Sequence, residues 1–85
     1  MSYFAYIIGS IKDEKYTTYV GWTNNIDERL KKHNSNKGAK STKGRNWELL
    51  YFEELKSKSE ALKREYALKK DRKFRNHIKL QFIKY

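Results

Sequence analysis

Cysteine and proline are absent from this 85-residue chain, and methionine occurs once. Without Cys there is no disulfide framework, no thiolate nucleophile and no Cys-ligated zinc site. Only two histidines are present, His33 and His77, so a three-His catalytic zinc site is excluded as well. No apolar run approaches the roughly 20 residues that a bilayer-crossing helix needs. Met1-Ser2-Tyr3-Phe4 lacks the basic stretch and apolar core of a secretory signal, so cytoplasmic residence is the expectation. The length implies a single domain, residues 1–85, with no room for a second folded unit. A core in a domain this small buries only roughly 60% of the unfolded surface, so stability is expected to be modest.

What is abundant is positive charge and aromatic surface. Twenty Lys and Arg against 10 Asp and Glu leave a net charge of +10, and 15% of residues are Phe, Trp or Tyr. The aromatics argue against disorder, because disordered chains are poor in them. The charge comes in blocks. Residues 1–30 carry 3 basic and 4 acidic side chains, residues 31–45 carry 6 basic and none acidic, and residues 56–79 carry 10 basic and 3 acidic. Such blocks attract polyanions, and nucleic acid is the expected partner; membrane binding is not expected. The basic candidates are Lys37, Lys40, Lys43 and Arg45 in the central block, and Lys69, Lys70, Arg72 and Lys73 in the later one. Contacts from these residues would go to phosphates, giving affinity and salt dependence without reading sequence. The alternative for Lys69–Lys73 is a solvated helix face.

Hydrophobic periodicity orders the chain as β-β-α-β-α-α. Tyr3–Gly9 is aromatic and β-branched without helical period, and Tyr16–Trp22 is a second β-rich run, with residues 10–15 as the loop of a hairpin. A helix follows, capped by Asn24 or Asn25, with Asp27 and Glu28 in its first turn. On it Ile26 and Leu30 form an apolar stripe, and Arg29 and His33 a second stripe beside it. Residues 35–45 read as a polar surface loop and Trp47–Leu55 as the third strand. Ser57 or Ser59 opens a second helix, Ser57 and Glu60 fitting a capping box, with Ala61, Leu62, Glu65, Tyr66 and Leu68 on its inner face. Phe74, Ile78 and Phe82 define a third helix over residues 72–85. The fold class is α+β, a small three-stranded antiparallel or mixed sheet flanked by about three helices.

Several polar residues stand where a plain core would not put them. Tyr6 and Tyr19 lie within the two strands, and Gly21, inside a strand, marks a bulge or a close backbone approach. Glu65 sits among Ala61, Leu62 and Leu68, where an uncompensated charge is costly; it needs a basic partner, with Lys69 at i+4, or a metal ion. Each has a plainer alternative: Tyr6 and Tyr19 as ordinary strand aromatics, Arg29 and His33 as surface helix residues, Gly21 as a turn residue.

Taken in order, these residues resemble the GIY-YIG nuclease domain. Phe4-Ala5-Tyr6 and Tyr19-Val20-Gly21 stand at the two tripeptides that name the family. Arg29 followed by His33-Asn34, the Gly38–Arg45 loop, and Ala61–Glu65 stand at its later signatures, and Asn76 is the candidate for its late Asn. Trp22 stands where many members carry Lys. The likeness spans residues 3–80 and is to the small single-domain bacterial branch, related to the nuclease module of the excision-repair endonuclease. It implies a metal-dependent endonuclease hydrolysing phosphodiester bonds, DNA rather than RNA, with a role of the DNA-repair type. The alternative is a nucleic-acid-binding module of the same fold without the chemistry. By the resemblance, Glu65 would ligate one Mg²⁺ or Mn²⁺, and Tyr19 or Tyr6 would orient or deprotonate the attacking water. Arg29 would stabilise charge on phosphorus, and His33 would contact phosphate or position a tyrosine. The chain is expected to be a monomer, drawing specificity from DNA shape or from a protein partner.

Overall fold

The computed structural model describes residues 2–83. Three antiparallel strands form one sheet in the order β2-β1-β3, with β1 at Tyr3–Lys12, β2 at Lys15–Thr23 and β3 at Glu48–Leu55. Helices α1 (Ile26–Asn34), α2 (Lys58–Lys70) and α3 (Arg72–Ile83) complete an α+β domain in the expected β-β-α-β-α-α order. Among the described residues no helix is long and apolar enough to cross a membrane.

The central strand explains why β1 shows no alternation in sequence. Successive side chains of a strand point to opposite faces, and both faces are covered here, so Ala5 through Ser10 are all buried. One face carries Ala5, Ile7 and Val20 under Leu68 of α2 and Phe74 and Ile78 of α3. The other carries Tyr6, Ile8 and Tyr19 with Leu30 of α1 and Trp47, which enters from the segment before β3. The candidate site lies on this second face.

The hairpin is tighter than the sequence suggested. Residues 10–12 do not loop; Ser10, Ile11 and Lys12 pair with Thr17, Tyr16 and Lys15, leaving a two-residue turn at Asp13 and Glu14. Both turn residues have positive φ (53° and 66°), the backbone that a right-twisted hairpin requires at its tip. The polarity that reads as a loop belongs to a strand end of which Ser10 is buried and Ile11 and Lys12 are exposed.

Capping follows the sequence closely. Of the two Asn candidates, Asn25 is the cap of α1, its Oδ1 accepting from the Glu28 N–H at 3.1 Å. Helix α1 ends with Asn36 at φ 64°, as the Lys37 N–H reaches the Lys32 carbonyl at 2.8 Å, so this helix stops in a left-handed turn closed by Asn instead of Gly. Ser57 caps α2 through the Glu60 N–H (3.1 Å), and Glu60 reaches back to the Lys56 N–H (3.2 Å). Asp71 caps α3 through the Phe74 N–H (3.1 Å).

The inner face of α2 differs from expectation. Ala61 and Leu68 are buried and Glu65 half-buried, but Leu62 and Tyr66 are 41% and 61% exposed. The stripe that meets the sheet runs 61, 65, 68; residues one position further on are rotated about 100° away from it. The bidentate pair from Arg64 to Glu53 (2.7 Å for each bond), joined by the Tyr51 hydroxyl at 2.7 Å, ties α2 to β3. On α3, Ile78 is buried and Phe74 and Phe82 are half-buried, Phe82 packing edge-on against Tyr16 of β2. Tyr85, placed at the end of this helix by its period, lies outside the described residues.

Candidate active site

Tyr6 is central to the site. It sits mid-strand on β1, opposite Gly21 of β2, and its ring crosses directly over that glycine. A Cβ at position 21 would come within 2.5 Å of the phenol oxygen, so the missing side chain is what admits the ring. Tyr6 is 2% exposed. Its hydroxyl meets His33 Nε2 at 2.8 Å.

His33, from the last turn of α1, is completely buried. The opposite ring nitrogen, Nδ1, lies 2.9 Å from Thr42 Oγ1. The Thr42 hydroxyl donates to the Ala39 carbonyl at 2.7 Å, so it has no proton left for the imidazole. Nδ1 therefore carries the proton and donates to Thr42, and Nε2 is the bare nitrogen that accepts from the Tyr6 O–H. One line of donors runs Tyr6 → His33 → Thr42 → Ala39, and it specifies a neutral imidazole in a single tautomer.

The 35–45 segment is thus more than the polar surface loop read from its composition. It folds into a short 3₁₀ turn, Lys40–Thr42, whose Thr42 is wholly buried. Trp47 donates from Nε1 to the Thr42 carbonyl at 2.9 Å, and Asn34 brackets the Trp47 backbone with two bonds of 3.1 and 2.5 Å. Gly38 lies against the imidazole so closely that a Cβ there would collide with His33. Thr42, Gly38, Asn34 and Trp47 were missed as site-forming residues. Asn34 and the Gly38–Arg45 loop, which holds Thr42, carried a signal as segments on which the resemblance rests; Trp47 carried none.

Tyr19 completes the aromatic wall, its ring 5.2 Å from that of His33 and 6.4 Å from that of Trp47. Arg29 lies one turn before His33 on α1, half-buried, and its Nε is buried without a hydrogen-bond partner among the described residues. Burial raises the Tyr6 phenol above its ordinary range; the Arg29 guanidinium beside it works the other way, and the charges of Tyr19 and Glu65 add to the rise. Burial, then the Arg29 charge, holds His33 below its ordinary range. Both effects keep the pair in the Tyr–OH and neutral-imidazole form.

Glu65 is close enough to act on Tyr6 electrostatically, yet its nearest charge partner is Lys69 at 3.5 Å, and its side chain is 19% exposed. Tyr6, Tyr19, Arg29 and His33 thus converge, with Glu65 at the margin. Asn76 does not join them; it is exposed on α3, which packs against the opposite face of the sheet. Lys37, Lys40 and Lys43 are exposed around the 3₁₀ turn, and Arg45 is half-buried. Lys69, Lys70, Arg72 and Lys73 are exposed, with Lys69 on Glu65 and Lys70 over the Tyr66 ring at 4.3 Å. Arg29 also lines a groove of about 530 Å³ together with Trp22 and Lys58.

Among the described residues no three acidic, His or Cys side chains gather as a metal cage. One half-buried carboxylate fits a hydrated Mg²⁺ or Mn²⁺, which takes one or two protein carboxylates and keeps several waters. It does not fit a zinc-type site.

The family model described as the GIY-YIG catalytic domain matches residues 2–79. The chain is 46% identical over 81 residues to a UPF0213 protein of Clostridium perfringens, covering 94% of this chain and 81% of that one. It is 40% identical over 84 residues to a UPF0213 protein of Staphylococcus aureus, covering 98% and 95%. A solution NMR structure of a UPF0213 protein from Bacillus halodurans is 38% identical, covers 94% of this chain and 85% of that one, and superposes with a TM-score of 0.47.

Proposed function

This chain belongs to the GIY-YIG family, and on that premise we propose that it binds nucleic acid and hydrolyses phosphodiester bonds of DNA with the help of one divalent ion. The observation that carries the reading is the polarised line from Tyr6 through His33 to Thr42, standing beside the buried Arg29 Nε–H, which has no hydrogen-bond partner among the described residues. Arg45 Nη1 and Arg75 Nε are left unpartnered in the same way, and what sets Arg29 apart is its place beside the Tyr6–His33 pair. Leaving a charged donor unsatisfied costs stability, whereas a phosphate oxygen would satisfy it.

In this reading a water attacks phosphorus as the bond to the leaving oxygen breaks. Tyr6 takes the proton of the water while its own proton moves to the bare Nε2 of His33. The raised phenol is fully protonated at neutral pH, so Tyr6 acts as a relay and not as a standing phenolate. The lowered imidazole holds the proton only briefly, beside the Arg29 charge. Arg29 stabilises the extra negative charge on the phosphoryl oxygens as it develops, where preorganised donors have their largest effect. Tyr19 walls the site and orients the water. Glu65 would hold Mg²⁺ or Mn²⁺, which when bound supplies charge neutralisation at the phosphate and leaving oxygen. The exposed Lys37, Lys40 and Lys43, with Arg45, Lys69, Lys70, Arg72 and Lys73, hold the backbone of the substrate. Cytoplasmic residence and a monomeric state belong to the same proposal.

The second reading is a binding module that keeps the fold without the chemistry. The Glu65–Lys69 pair favours it, because it occupies the only carboxylate assigned to the metal. Incubation with labelled single-stranded, nicked, branched and blunt duplex DNA separates the two. Metal-dependent cutting that is absent from a Glu65→Gln preparation supports hydrolysis; binding without cutting under any metal supports the module. Failure to bind any nucleic acid would sink both.

Replacing Lys37, Lys40 and Lys43 together by Ala is expected to flatten the plot of log affinity against log salt by about 2 to 3 units of slope, since each phosphate contact contributes about 0.9 on duplex DNA. An unchanged slope in a filter-binding titration would mean that the 3₁₀ turn faces away from the substrate.

A further inference from the structure

Two grooves extend beyond the core and the chemistry above, the first sharing Arg29 with it. The first is the groove of about 530 Å³ beside Arg29, lined by the rings of Trp22 and Tyr3, the amides of Asn24 and Asn25, and Lys32 and Lys58. The second is a shallower groove of about 500 Å³ on the outer side of α2, lined by Lys58, Leu62, Lys63 and Tyr66. Lys58 borders both. Each groove presents an aromatic ring with a lysine ammonium over it. Lys58 Nζ is 5.3 Å from the Trp22 ring centre, and Lys70 Nζ is 4.3 Å from that of Tyr66. Tyr66 is 61% exposed, and Leu62 beside it 41%.

We propose that the two grooves form one track for an unpaired strand of nucleic acid, entering the site at Arg29 and running along α2, with Trp22 and Tyr66 as its stacking platforms. The proposal rests on the nucleic-acid reading above and adds the class of substrate. A base inside a duplex has both faces covered by its neighbours, so an aromatic platform is of use only to a base that is not stacked in one. For a base to stack, Lys58 and Lys70 swing off the ring faces they cover, and their ammonium groups then meet the phosphates of the strand. The first groove is of the size that holds one nucleotide-sized ligand. Glu28 on its wall is already paired with Lys32 at 3.5 Å, so it does not oppose a phosphate with a free charge. Trp22 lies under the Lys58 ammonium, and from Lys58 to Tyr66 the helix rises about 12 Å, so in this proposal the two rings serve different nucleotides of one strand.

The two tryptophans make the test direct. Trp47 is buried at 4% exposure and reports the fold, whereas Trp22 is half-buried in the groove and reports stacking. Titrating the protein with short single-stranded oligonucleotides is expected to quench the Trp22 component. A blunt duplex at the same salt leaves that component unchanged. Trp22→Ala removes the quenching and weakens single-strand binding by about tenfold, with duplex binding unaffected. Tyr66→Ala, on the open surface, weakens it in the same selective way and covers the case in which Trp22→Ala loses the Trp47 fold signal. Single strands that bind by anisotropy without quenching Trp22, and equally well in both variants, would overturn the track and leave the nucleic-acid reading standing. Equal quenching by blunt duplex would overturn its selectivity for unpaired strands. No binding of any oligonucleotide would remove the parent reading as well.

Discussion

Arg29→Ala is expected to lower the rate of cleavage by about 10²- to 10³-fold while weakening binding of uncut nucleic acid by less than about tenfold. The imbalance follows from where the side chain sits. Its guanidinium borders the Tyr6 hydroxyl on one side and the groove on the other, with its buried Nε–H unpartnered. A group held in this way is already desolvated and oriented, so it gives little to a ground-state phosphate that the exposed lysines also hold. Its contribution grows as charge accumulates on the phosphoryl oxygens. Single-turnover rates and binding isotherms of the two proteins under identical salt measure the split. Equal losses in both would reduce Arg29 to one more phosphate contact. Arg29→Lys is expected to recover little, because an ammonium lacks the planar fork. Arg29→Ala also leaves Tyr6 without the cation that opposes its raised pKa.

His33→Ala is expected to cost about 3 kcal/mol or more in folding stability, a large share of what a small domain has. Two mechanisms add. The Tyr6 hydroxyl loses its acceptor and Thr42 Oγ1 loses the N–H it accepts from while keeping its own bond to Ala39, and a void opens where the ring was. Chemical denaturation with a constant m-value measures the loss. A pH series carries the mechanism further. His33 titrates below its ordinary range when folded, so the unfolded chain binds the extra proton first as pH falls. Its contribution is therefore whole above about 6.5 and is lost progressively below that. Tyr6 titrates above its ordinary range when folded, so its contribution is whole below about 10 and lost as pH rises beyond it. The parent protein should show a stability plateau between those limits. The acid shoulder lies above the range in which Glu53 protonates, because the Arg64 bond holds that carboxyl below the usual carboxylate range. In the His33 variant the acid shoulder should disappear while the lower, carboxylate-driven fall remains. An acid shoulder identical in both proteins would show that the imidazole is not the titrating group.

Local rules, which act over a few residues, were readable in the chain. Asn25, Ser57 and Glu60 cap as their positions implied, because a cap involves only backbone groups within one turn. Element order followed from periodicity, and the blocks of charge followed from counting. Arg29 and His33 lie on adjacent stretches of one helix face, so the helical period alone brought them together. Tyr6 and Gly21 face one another because a hairpin pairs them, and only the length of its turn was misjudged.

The tertiary structure decided which of these residues touch, and that depends on long-range contact. Residues 6 and 33 meet at 2.8 Å only because α1 folds back over the sheet, and the 40–42 turn comes to His33 only because Asn34 and Trp47 anchor the segment on either side. It turned Leu62 and Tyr66 outward, an outcome set by how α2 rotates against β1 and β2, whereas the Glu65–Lys69 pair is a local i,i+4 contact that the helix alone allows. Sequence by itself determined the kinds of groups available and their local geometry, since propensity, capping and charge are properties of neighbours in the chain. The direction of the proton line and the orphaned Arg29 N–H came from packing, since a buried polar group is defined by what surrounds it in space.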